Sequence, residues 1–161
     1  MELELLLAQI RSAFAYLFDE YGFQLVYLDP KPERSDSALI GFTSPFCRIA
    51  FDWEQGTVTP LIGPPSSTFG QDTKIDGIDQ WYNLERMFDF IQKRPFRWPT
   101  ASETPQRAEL LTRWADALRP IAPQLFQHFE SRDRVRQWNS EFAAYTMAQI
   151  KVRFSSSSPT M

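Results

Sequence analysis

The chain has 161 residues, 43% of them hydrophobic, a size and apolar share suited to one domain around a single core. Seventeen basic against twenty acidic residues leave a net charge of −3, which argues against broad non-specific binding to phosphate backbones or anionic lipid. The lone Cys47 excludes an intramolecular disulfide, and no stretch reads as a signal peptide or as an apolar span of about 18 residues, so a reducing cytoplasm is the expected compartment.

Residues 2–21 place Leu3, Leu6, Leu7, Ile10, Phe14, Leu17, Phe18 and Tyr21 at three- and four-residue steps, which predicts one amphipathic helix. Gly22 can supply its left-handed stop. Residues 23–28 are apolar apart from Gln24 and end at Asp29-Pro30, as a strand entering a loop should. Residues 37–43 and 46–53 read as second and third strands separated by Ser44-Pro45. In the third, Cys47, Ile49, Phe51 and Trp53 alternate with Arg48, Ala50 and Asp52, so one face looks into a core and the other toward solvent or a partner. The turn Glu54-Gln55-Gly56 leads into a hairpin strand over residues 57–62, which Pro60 assigns to a sheet edge because it lacks a ladder donor.

Residues 63–77 contain two prolines and three glycines and read as a long loop. A second helix is expected from a cap at Asp76 or Asp79, with Trp81, Leu84, Phe88 and Ile91 facing inward, and it stops at Arg94-Pro95. Thr104-Pro105 suits the start of a third helix carrying Leu110, Leu111, Trp114 and Leu118. Pro120 and Pro123 should kink or break it, with helical spacing resuming at Leu125, Phe126 and Phe129 and again from Val135 through Trp138, Phe142 and Tyr145. The expected class is therefore α+β: an N-terminal helix, a four-stranded antiparallel meander, then three or four C-terminal helices packed on one sheet face. Residues 1–154 form the domain and 155–161 a flexible serine-rich tail.

Chemistry-bearing residues are sparse. His128 is the only histidine, which excludes a histidine pair and the usual Cys/His zinc sets, and Cys47 points inward, where burial hides its sulfur. Asp72, Asp76 and Gly77 match three positions of a calcium loop, but Lys74 and Asn83 stand where oxygen ligands belong, so a turn and a helix cap explain them better. No dinucleotide fingerprint, phosphate loop or nucleophile elbow occurs, and no cofactor or metal is expected. Lys93-Arg94-Pro95-Phe96-Arg97-Trp98 joins charge to stacking surface, a composition also used on single-stranded nucleic acid, but charged helix ends and snorkelling arginines account for it better, so nucleic acid is not the expected partner. Arg132, Arg134 and Arg136 alternate with Glu130 and Asp133 as on a solvated helix face.

The helix ending in Tyr21-Gly22-Phe23, the meander around Phe51-Asp52-Trp53-Glu54-Gln55-Gly56 and the helix opening at Trp81-Tyr82-Asn83-Leu84 resemble small bacterial immunity-type proteins. These are cytosolic α+β chains, some found beside secreted toxins. The resemblance implies a non-enzymatic protein-binding module whose partner is another protein. Aromatic residues make up 15% of the chain, with 14 Phe and 5 Trp, a surplus that agrees with exposed binding residues. Phe69, Phe96, Arg97 and Trp98 are the expected contacts, with the sheet face around Arg48 and Asp52 as the second choice. The alternative is a small-molecule-binding domain with an apolar pocket between sheet and helices, gated by the loop at residues 63–77.

Overall fold

The N-terminal apolar stripe folds as two helices, not one. In the computed structural model, which describes residues 2–30, 37–54, 57–69, 74–75, 78–79, 81–93 and 107–156, helix α1 (Glu2–Ala13) ends at Phe14 and α2 (Ala15–Asp19) follows at once. Phe14 leaves helical geometry at φ −103° and ψ 28°, and its carbonyl accepts the Leu17 amide at 2.9 Å, the tighter three-residue step of a local break. The bend lets the Phe14 ring meet Phe51 edge-on at 5.3 Å while Phe18 meets Phe42 at 5.2 Å. Gly22 then takes φ +70°, the left-handed stop expected of it.

Strands β1 (Gln24–Pro30), β2 (Ser37–Thr43), β3 (Arg48–Glu54) and β4 (Thr57–Gly63) form the antiparallel meander. Two short pairs follow: β5 (Lys74–Ile75) with β6 (Ile78–Asp79), and β7 (Tyr82–Asn83) against β4. Among the described residues the main sheet thus has five strands in the order β1-β2-β3-β4-β7, with β3 in the centre as expected. The Pro60 strand is not the outermost one, which corrects the edge assignment. Strand β7 meets only Leu61 and Ile62, so the missing N–H of Pro60 falls beyond its two-residue reach.

Helix α3 (Leu84–Gln92) starts later than expected. Asn83, not Asp76 or Asp79, caps it by accepting the Arg86 amide at 3.3 Å, because Tyr82 and Asn83 are first used as a strand. Trp81 accordingly precedes the helix, and Leu84, Met87, Phe88 and Phe90 form the buried side. Helix α4 (Arg107–His128) runs through Pro120 and Pro123 without the break that was one of the two expected outcomes. An interior proline costs about 3 kcal/mol. Burying Leu118, Ile121, Leu125 and Phe126 returns about 1.5–3 kcal/mol each, so packing outweighs the lost amides. Both prolines lie on the exposed side, where water can reach the carbonyls they leave unpaired.

Helix α5 (Arg132–Ser156) begins at Ser131, whose hydroxyl accepts the Arg134 amide at 3.2 Å, and it includes Ser155 and Ser156, which the sequence assigns to the tail. The turn residues Gln55 and Gly56, the Thr104-Pro105 cap and residues 157–161 lie outside the described residues. One apolar cluster joins the helices to a single face of the sheet. Leu6, Ile10 and Phe14 meet Ile40, Phe42, Ile49 and Phe51 in it, and Trp138 and Phe142 of α5 close on Tyr82 of β7. Most described aromatic side chains are spent here, whereas Phe46 stays 43% exposed while stacked on Phe126 at 5.3 Å.

Candidate functional site

Strand alternation sorts the sheet into two faces. Ala38, Ile40, Phe42, Cys47, Ile49, Phe51, Trp53, Val58 and Ile62 point into the helical core. On the opposite face, the register aligns Tyr27, Gly41, Ala50, Leu61 and Asn83 in one row across all five strands. Gly41 and Ala50 are buried although, among the described residues, the helical core cluster gathers the strand residues of the other face. Over Gly41 lies the side chain of Phe69, from the segment that follows β4.

Phe69 is the covering group. A Cβ built on Gly41 would stand 2.7 Å from both Cδ1 and Cζ of the Phe69 ring and closer still to Cε1, so only glycine admits the ring at this place. Tyr27 stacks on Phe69 with centroids 5.2 Å apart and planes at 17°, and Trp81 leans on it at 5.2 Å and 40°. The Arg48 guanidinium lies 5.2 Å above the same ring. Among the ties on the segment, Arg48 donates from Nη1 to the Ser67 carbonyl at 2.6 Å, and Trp81 donates from Nε1 to the Thr68 carbonyl at 2.8 Å. Arg48 is itself steadied by a bond from Nε to Thr43 Oγ1 at 3.2 Å.

Two of the sequence-predicted contact residues, Arg48 and Phe69, therefore meet each other. Asp52 lies on the same face two alternations beyond Arg48 along β3, opposite Leu39 and Thr59, and is half-buried. Phe96, Arg97 and Trp98 lie outside the described residues. Tyr27, Gly41 and Trp81 were not singled out as contacts by the sequence. Gly41 carried a signal, since a glycine inside a strand marks close approach by another group. Trp81 was assigned to the inward side of a helix that in fact begins after it.

His128 and Cys47 are placed for packing. The His128 ring lies parallel to Trp138 at 4.6 Å and 6°, and burial lowers its pKa. Cys47 is fully buried, and burial drives its thiol far above the usual range against a weaker opposing bond from Ser44. Of the second basic cluster, Arg134 pairs with Glu130 at 3.5 Å, both exposed. Asn83, the failed calcium-loop position, caps α3, and among the described residues no group of acidic, histidine or cysteine side chains could hold a metal ion.

Among the described residues, two surface grooves lie along the helices. One of about 510 Å³ is lined by Ala108, Glu109, Thr112, Arg113 and Asp116 of α4, and the other by Ala8, Gln9, Ser12 and Ala13 of α1 together with Ala108 and Thr112. Neither has a strand residue in its wall. No described helix is long and apolar enough to cross a membrane. No protein family, curated protein or solved structure matches the chain.

Proposed function

We propose that the chain is a non-enzymatic protein-binding module that engages its partner through the helix-free face of the sheet. The observation that carries this reading is the half-buried group of Tyr27, Arg48, Phe69 and Trp81 gathered over the Gly41 row. Aromatic and arginine side chains contribute most to binding hot spots because they bury large areas with few rotatable bonds and keep a polar handle. The remainder of the face offers Leu39, Asp52, Thr59 and Leu61, each half-buried, as the mixed apolar and polar surround such a centre uses. Catalysis is no part of the reading: the histidine is stacked in a helix corner and the thiol is sealed in the core. The layout likeness to immunity-type proteins belongs to the same proposal and makes the partner a protein toxin.

The test is quantitative crosslinking and capture of partners by the tagged chain from its own cells. Tyr27→Ala and Asp52→Arg, each verified as folded, should lose a specific partner that the wild type and Arg113→Ala on α4 retain. A partner held equally by both face variants sinks the assignment of this face.

A further inference from the structure

We draw no further inference here: the strongest candidate, the surface patch at the β2–β3 turn where the exposed Phe46 ring stacks on Phe126 beside Tyr21, is an apolar patch with nothing in the structure to show what covers it.

Discussion

The hydroxyl of Tyr16 donates to the carbonyl oxygen of Ala115 at 2.7 Å, tying the short helix α2 to the long helix α4. Burial raises the phenol's pKa above its ordinary 10.0, working against the lowering influence of Arg119, whose guanidinium lies 5.2 Å above the ring. The neutral phenol is therefore the form the fold favours. Below pH 10 the unfolded chain is neutral too and the contribution is complete; above it the unfolded phenol ionises first, and stability is lost as pH rises. Tyr16→Phe should lower unfolding free energy at pH 7 by about 0.5–1.5 kcal/mol. It should also flatten the alkaline fall, both read from urea titrations.

His128 gives the opposite dependence. Its pKa is lowered from 6.5 chiefly by burial, with Glu141 raising it and Arg134 and Lys93 lowering it further. On acidification the unfolded chain takes up the proton first, so the stability present above pH 6.5 is lost as pH falls through the folded value. His128→Phe keeps a ring against Trp138 and removes the titration. Its stability between pH 7 and pH 5 should decline less steeply than that of the wild type, and an equal decline would show that other groups dominate. Partner capture should be unchanged, because the ring packs at the α4–α5 corner.

Cys47 should react with a bulky aromatic disulfide reagent only when the protein unfolds. The side chain is wholly inaccessible and its thiol is held neutral by burial. The labelling rate at pH 8 should track the global unfolding rate across a urea series. Stoichiometric labelling within the mixing time in buffer alone would place the sulfur outside the core.

Two tryptophans separate packing from polar pairing. Trp138 is 2% exposed and packs against Tyr82, Phe90, Phe129 and His128, yet its Nε1 has no hydrogen-bond partner among the described residues. Trp114 donates from Nε1 to Glu85 Oε1 at 3.2 Å. Trp138→Ala should cost about 3–5 kcal/mol through the cavity left behind. Trp138→Phe should recover most of that loss, whereas Trp114→Phe should lose in addition a charge-assisted bond of about 1.5–3 kcal/mol. Thermal and urea denaturation of the three variants gives the comparison.

The layout was legible from the sequence wherever a short-range pattern coincided with burial. Period-two alternation in residues 47–53 located the inward face of the central strand, and Gly22 marked a left-handed stop because no other residue enters that conformation so readily. The departures arose where distant groups outweighed local preference. Phe14 leaves the helix to reach Phe51, Pro120 and Pro123 are carried inside α4 by the burial of its inner side, and Tyr82 pairs with Ile62 before α3 can begin. The candidate site depended most on tertiary structure. Arg48 and Asp52 were readable as the outer side of a strand, but Phe69 joins Arg48 only because β1, β2 and β3 bring Tyr27, Gly41 and Ala50 into one row with a gap at the glycine. Strand register is a property of paired chains, so that gap and the ring that fills it are decided by the folded sheet and not by any local run of residues.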